Sequence, residues 1–194
     1  MSSNLMLLNS DSVGDPARFL TAAELDAALQ GLPDSPKDLG HCSLIVSRRD
    51  GGRRETPERI RLTVDGGVTG DAWSRRDGRR SESQITVMEL AIAELIANGQ
   101  PLTLFGDNLF LDLDLSSGNL PTGSRLLVGR ALVEVTPKPH NGCRKFQSRF
   151  GEDATRFVVE PETRHRNLRG IYVRVIEEGE AGPGDRVEVL SRGV

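Results

Sequence analysis

The residues with the clearest chemical potential lie in one short stretch, TPKPHNGCRKFQSRFG, which spans residues 136–151. Cys143 stands there directly before Arg144 and Lys145. Neighbouring cations favour the thiolate form of a cysteine over the neutral thiol. A thiolate can act as a nucleophile, carry a sulfur atom or ligate a soft metal ion. Cys143 is therefore the candidate centre of a site, and an inert cysteine in a tight turn is the competing interpretation.

The same stretch is also a candidate binding site for an anion. Arginine and lysine form charge-assisted hydrogen bonds with phosphate oxygens. The stretch follows the strand candidate ALVEV, residues 131–135, and Pro137 and Pro139 stiffen its backbone. Loops at strand ends are common places for binding and catalytic residues. The four cations that we assign to this candidate site are Lys138, Arg144, Lys145 and Arg149.

The composition limits what the rest of the molecule can be. The chain has 194 residues, of which 37% are hydrophobic and 27% charged, as expected for one large globular domain or a domain with a small attachment. A net charge of −3 and an aromatic content of 4% argue against nucleic-acid or membrane partners. Two cysteines do not form a disulfide framework, and no signal peptide or membrane span is recognisable. We therefore expect a cytoplasmic protein with free thiols.

Short apolar runs separated by turn signals predict the elements that must position this site. Thr21 and Glu24 form a capping box at the start of a helix over residues 21–32. About seven strands with few helices favour an antiparallel β-barrel or sandwich over a parallel α/β sheet. We divide the chain into an N-terminal extension, residues 1–40, and a β-barrel domain, residues 41–194. Strands are predicted over 43–48, 60–64, 104–115, 125–135 (a hairpin), 170–176 and 185–190. Residues 85–99 are predicted to begin as a strand and continue as a helix, and residues 151–160 are predicted to form a short helix.

Five motifs, in order, resemble the MOSC domain, which is named for the C-terminal part of eukaryotic molybdenum-cofactor sulfurases. The cysteine motif is similar to that of the short stand-alone bacterial members. The resemblance covers roughly residues 40–190, and five ordered motifs are more specific than any one of them. The motifs are VTGDAW (68–73), QITVMEL (84–90), GDNLFLDLDLSSGNLPTGSRLLVGRALVEVT (106–136), PHNGCRKFQSRFG (139–151) and LRGIYVRVIEEGEAGPGD (168–185).

The resemblance implies a mostly β, MOSC-like barrel with a few peripheral helices, and the molybdopterin form of the molybdenum cofactor. In the amidoxime-reducing members the matching cysteine binds molybdenum, and N-hydroxylated compounds are reduced. Carried over to this chain, Cys143 is the implied catalytic residue and metal ligand. The implied or candidate cofactor-binding residues are Asp71, Asp107, Asn108, Lys138, His140, Asn141, Arg144, Lys145 and Arg149.

The sequence departs from the family pattern in two ways. The reductase members carry an additional N-terminal β domain, for which residues 1–40 are too short, and other bacterial members carry an additional C-terminal segment. The eukaryotic fusion partner is a pyridoxal-phosphate enzyme, and no stretch of this chain resembles its lysine site.

Three functions from different classes are consistent with these residues. The first is a molybdenum-cofactor oxidoreductase that reduces N-hydroxylated compounds. The second is a sulfurtransferase or sulfur carrier with a persulfide on Cys143, and the third is a pterin-binding module without chemistry of its own. We expect a small-molecule substrate and, for the first two functions, a separate protein that donates electrons or sulfur.

Other polar residues carry weaker alternatives. His41, Cys42, His140 and Cys143 could form a zinc site, but paired Cys-x-x-Cys motifs are missing. The arginines of residues 75–80 are better interpreted as a solvated loop than as an RNA contact, because no aromatic residues alternate with them.

Overall fold

The computed structural model describes residues 13–193, so the first twelve residues of the predicted N-terminal extension lie outside the described residues. The strands are β1 (Leu39–Ile45), β2 (Ser47–Arg48), β3 (Arg54–Glu55), β4 (Ile60–Thr63), β5 (Gly67–Val68), β6 (Ile85–Glu89), β7 (Leu109–Asp112), β8 (Arg125–Val128), β9 (Ala131–Val135), β10 (Ile171–Glu177), β11 (Gly179–Ala181) and β12 (Arg186–Ser191). The α-helices are α1 (Ala22–Gly31), α2 (Leu90–Ala97) and α3 (Arg144–Phe157). Short 3-10 turns lie at Pro16–Arg18, Asp50–Gly52, Ala72–Arg75, Ser81–Ser83, Leu102–Leu104 and Arg164–Arg166.

Seven of these strands form a closed barrel in the order β1-β12-β8-β9-β10-β6-β7. Neighbouring strands are antiparallel, except that β6 and β7 run parallel. Helix α2 lies between β6 and β7 in the chain, which gives the connection that a parallel pair requires. Smaller sheets, β11-β4-β5 and β2-β3, adjoin the barrel. The predicted β-barrel with a few peripheral helices is confirmed, and the sandwich alternative is not.

Two apolar clusters hold the fold together, and β7 contributes to both. Its alternating pattern directs Leu109 and Leu111 into the barrel interior and Phe110 outward. The outward side chain is covered by the helices, with Phe105 packed edge-on against it at a ring-centroid distance of 6.0 Å. Strand β7 is therefore buried on both faces at this point. The barrel interior also contains Ile45, Leu126, Val133, Val173 and Val187, and the helix layer contains Leu25, Met88, Ile92, Phe146 and Phe150.

Helix α1 begins at the predicted capping box. The backbone N–H of Thr21 donates to Glu24 Oε2 at 2.8 Å, and the backbone N–H of Glu24 donates back to Thr21 Oγ1 at 3.4 Å. Leu25 and Leu29 bury the inner face of the helix in the same layer as α2 and α3. Complete burial of a leucine side chain contributes about 1.5–3 kcal/mol. The described part of the extension is thereby packed against the helices that flank the site.

Helix α3 begins earlier than the short helix predicted over 151–160. Its first turns follow Cys143 directly, because Phe146 and Phe150, four residues apart, bury one face of a helix. Gly151 interrupts the helix with φ 91° and ψ 170°, a backbone conformation that favours glycine. Gly151 therefore separates two helical segments of α3: the predicted helix start at this glycine corresponds to the second segment, and the segment before it was not predicted. No helix in the described part of the chain is both long and apolar enough to cross a membrane.

Candidate functional site

A cleft of about 460 Å³ opens beside the start of helix α3. Cys143 lines it, and its side chain is exposed. The carboxylates in its lining are Asp50 and Asp107, so cationic side chains outnumber anionic ones by more than three to one. This excess of positive charge predicts an anionic ligand. The cationic lining residues are Arg48, Arg49, Arg54, Arg76, Lys145, Arg149 and Arg169.

Asp71 and Asn108 lie beneath the cleft and position Arg48. The backbone N–H and Nε of Arg48 donate to Asp71 Oδ2 at 2.7 and 2.9 Å, and Arg48 Nη2 donates to Asp71 Oδ1 at 2.8 Å. Asn108 Oδ1 accepts from Arg48 Nη2 at 3.0 Å, and Asn108 Nδ2 donates to Asp71 Oδ2 at 3.1 Å. Burial alone would raise the pKa of Asp71, but the hydrogen bonds and charge of Arg48 hold that pKa below its ordinary value. Asp71 is therefore an ionised anchor for Arg48.

A second polar cluster surrounds Asp107, which lines the cleft itself. Arg169 Nη1 donates to Asp107 Oδ2 at 2.7 Å, and His140 Nε2 lies 3.8 Å from Asp107 Oδ1. The His140 ring packs on Tyr172 with 4.6 Å between ring centroids. Burial, followed by the charge of Arg169, lowers the pKa of His140 to about 3. His140 is consequently a neutral imidazole near pH 7.

The two cysteines have opposite surroundings. Cys42 is fully buried in the barrel interior, and burial, followed by the charge of Asp185, raises the pKa of its thiol to about 12. Cys143 is exposed, and both thiols are free. Residues 13–193 contain no group of three or more histidine, cysteine, aspartate or glutamate side chains able to hold a metal ion. The zinc alternative therefore has no support among the described residues, since His140 and Cys143 line the cleft and His41 and Cys42 do not.

The structure brings together five of the ten residues that the sequence assigned to the site. Cys143, Asp107, His140, Lys145 and Arg149 line the cleft. The remaining five do not line it: Asp71 and Asn108 lie beneath it, Lys138 lies with its ammonium 5.5 Å from the Tyr172 ring centroid, and Asn141 and Arg144 are exposed beside it.

Several residues that the fold brings to the cleft were not predicted from the sequence. Arg48 ends the strand candidate 43–48, and Arg169 and Tyr172 lie within the last matched motif, so their positions were visible but their roles were not. No local pattern distinguishes Arg48 and Arg169 from ordinary surface arginines. Trp73 is buried under this region but does not line the cleft.

The model of the MOSC domain matches residues 71–188. The chain belongs to the MOSC domain family. This family is associated with binding of the molybdenum cofactor. The matched segment contains Asp71, Asp107, Cys143 and Arg169, whereas the cleft residue Arg48 lies before it.

Solved structures show the same fold at low sequence identity. The MOSC chain resembles the YUAD protein of Bacillus subtilis with a TM-score of 0.57 and 18% identity, covering 78% of this chain and 95% of that one. It resembles YiiM of Escherichia coli with a TM-score of 0.52 and 19% identity, covering 79% and 71% of the two chains.

YflK of Bacillus subtilis (strain 168), an uncharacterized protein, is similar in sequence. It is 34% identical over 89 residues, which is 46% of this chain and only 38% of YflK.

Proposed function

We propose that this MOSC protein binds the molybdenum cofactor, a phosphate-bearing pterin, in the cleft, with the Cys143 thiolate as the ligand of molybdenum. The observation that carries the proposal is the combination of one exposed thiol with a lining dominated by cations. Thiolate sulfur is a soft ligand and therefore suits molybdenum. Cationic side chains suit the phosphate group of the cofactor.

Buried polar atoms in the cleft support the fit to such a ligand. Asp107 Oδ1, His140 Nδ1 and Arg169 Nε are buried and have no hydrogen-bond partner among the residues that the structure describes. Leaving a buried polar group unpaired costs about 1–3 kcal/mol. A heterocyclic ligand with donors and acceptors on its edge would satisfy these atoms. The cleft volume also lies in the range of about 300–1,000 Å³ that is typical of small-molecule sites.

The reaction that we propose is reduction of N-hydroxylated compounds. Two electrons and two protons convert an N–OH group into N–H and release water, and the electrons would come from a separate donor protein. The bound cofactor would supply the redox chemistry, while the chain holds it through Cys143 and the cationic lining. Because His140 is neutral near pH 7, it can accept a hydrogen bond from a bound ligand but does not store a proton there.

Metal and pterin analysis of protein from a host that makes the cofactor tests the proposal. Wild-type protein is expected to contain molybdenum and pterin. Cys143→Ser should fold normally, lose reduction of an N-hydroxylated test compound and change the metal spectrum, since serine stays protonated and offers a harder ligand. Cys42→Ala is the matched control, because Cys42 lies in the barrel interior away from the cleft. Full turnover by Cys143→Ser would contradict the assignment.

A second candidate function is transfer of sulfur through a persulfide on Cys143. The exposure of this thiol favours it, since a sulfur-donating protein must reach the sulfur atom directly. Mass spectrometry of the intact protein separates the two functions. A persulfide on Cys143 without bound metal supports sulfur transfer, and stoichiometric molybdenum supports the oxidoreductase. Pterin bound without any turnover supports a binding module alone.

A further inference from the structure

Three arginine side chains from different elements meet at Gly106. Arg48 Nη1 donates to the backbone oxygen of Gly106 at 3.2 Å. A methyl group added to Gly106 would lie 3.2 Å from Arg54 Nη2 and 3.6 Å from Arg149 Nη1. Gly106 has a positive φ of 75°, so the turn itself also requires glycine. The absence of a side chain there lets the guanidinium groups of β2, β3 and α3 crowd into one corner of the cleft.

The charge of Arg54 is less compensated than the charge of Arg48, which pairs with Asp71. Arg54 is 8% exposed, and its Nη1 donates to the backbone oxygen of Thr103, a neutral acceptor. No carboxylate forms an ion pair with it in the described part of the chain. Burial, followed by the charges of Arg149 and Arg48, lowers the pKa of Arg54 to about 10, and the carboxylate of Asp107 offsets this only in part. A buried cation without a counterion is strongly unfavourable, whereas Arg48 has Asp71 as its partner.

We infer that this corner of the cleft is a preformed binding site for a phosphate monoester, with Arg54 as its central residue and Arg48 and Arg149 at its sides. A phosphate monoester carries about −1.5 to −2 charges near pH 7 and three strong acceptor oxygens, which match converging guanidinium groups. The ligand would supply the negative charge that the surroundings of Arg54 lack.

This inference deepens the proposed function, because the phosphate of the pterin cofactor would occupy the site. The recognised chemistry is nevertheless that of the phosphate group, which other phosphorylated small molecules share. Binding at Arg54 requires neither molybdenum nor the thiol of Cys143. The two proposals can therefore fail separately.

Calorimetric titration of metal-free, full-length protein with inorganic phosphate and with glycerol 1-phosphate tests the site. Saturable binding of both is expected, with glycerol as the uncharged comparison that does not bind. Arg54→Gln should weaken both ligands by about ten- to a hundredfold. Arg125→Gln is the matched control, since Arg125 is exposed, pairs with Glu134 on the surface, and neither residue lines the cleft. It should leave the affinity unchanged.

A second variant and a second readout protect the test against misfolding. Arg54→Lys keeps the charge but loses the planar fork, so it should bind phosphate more weakly than wild type and more tightly than Arg54→Gln. Phosphate should also raise the Tm of wild-type protein above the Tm in chloride at equal ionic strength. Wild-type protein without saturable phosphate binding, or Arg54→Gln with wild-type affinity, would overturn the inference.

The variant Cys143→Ser separates this site from the proposed function. Phosphate binding should persist in it at wild-type affinity. If phosphate binds through Arg54 while molybdenum never accompanies the protein, the phosphate site stands and the cofactor proposal fails. If the cofactor binds through Cys143 and Arg54→Gln keeps full affinity for it, the cofactor proposal stands and the phosphate site at Arg54 fails.

Discussion

Replacement of His140 by glutamine is expected to remove a large part of the pH dependence of stability on the acid side. His140 has a side chain that is 7% exposed and a folded-state pKa of about 3, against an ordinary value of 6.5. A depressed pKa contributes stability that is present above the unfolded-state value and is lost as the pH falls toward the folded-state value. The relevant window therefore runs from about pH 6.5 down to about pH 3.

The size of the effect follows from the two pKa values. Between pH 7 and pH 5, protonation of the unfolded chain at this residue should lower the free energy of unfolding by about 2 kcal/mol. The opposing groups around the imidazole are Asp107, which favours the charged form, and Arg169, Arg48 and Lys138, which disfavour it. The cations and burial together outweigh the single carboxylate, so the direction of the shift is set by the structure of the cleft.

Urea unfolding at pH 7 and pH 5 measures this contribution. The loss of unfolding free energy in wild-type protein should exceed the loss in His140→Gln by about 2 kcal/mol. His165→Gln is the matched control, since that histidine is exposed in the Arg164–Arg166 turn. Buffers without phosphate or sulfate are required, because an anion in the cleft would itself stabilise the fold. Equal losses in wild type and His140→Gln would refute the reasoning about burial and charge.

Two further predictions concern the thiols and the cations beside Cys143. Iodoacetamide should label Cys143 and leave Cys42 unlabelled in folded, cofactor-free protein, because Cys42 is fully buried with a thiol pKa raised to about 12. Peptide mass mapping measures the labelling, and equal labelling of the two cysteines would contradict this prediction. Lys145→Gln should weaken binding of isolated molybdenum cofactor by about tenfold, whereas Arg144→Gln should change it little, since only Lys145 of these two residues lines the cleft. Fluorescence titration of the pterin measures the affinity of both variants, and equal losses of affinity would place the ligand elsewhere.

Local elements were predictable where a short pattern determines the outcome. The capping box at Thr21 fixed the start of α1, and the Gly129-Arg130 turn between two apolar runs fixed the β8–β9 hairpin. The helix start before Phe146 was not predictable in the same way. From the sequence, Gly151 is a signal for a helix boundary. The segment before it is helical back to residue 144 because Phe146 and Phe150 pack in the helix layer.

The site was predictable only around its cysteine. The sequence by itself determined that a thiol stands among cations in the strand-end stretch 136–151, because that chemistry is contiguous in the chain. Tertiary structure alone decided which other charges meet it. Arg48 pairs with Asp71 across 23 residues, and Arg169 pairs with Asp107 across 62. Such pairs form only when the folded chain brings the two residues together and buries them. Burial excludes water, so each charge requires an opposite charge close to it, and residue spacing in the sequence does not show which pairs will form.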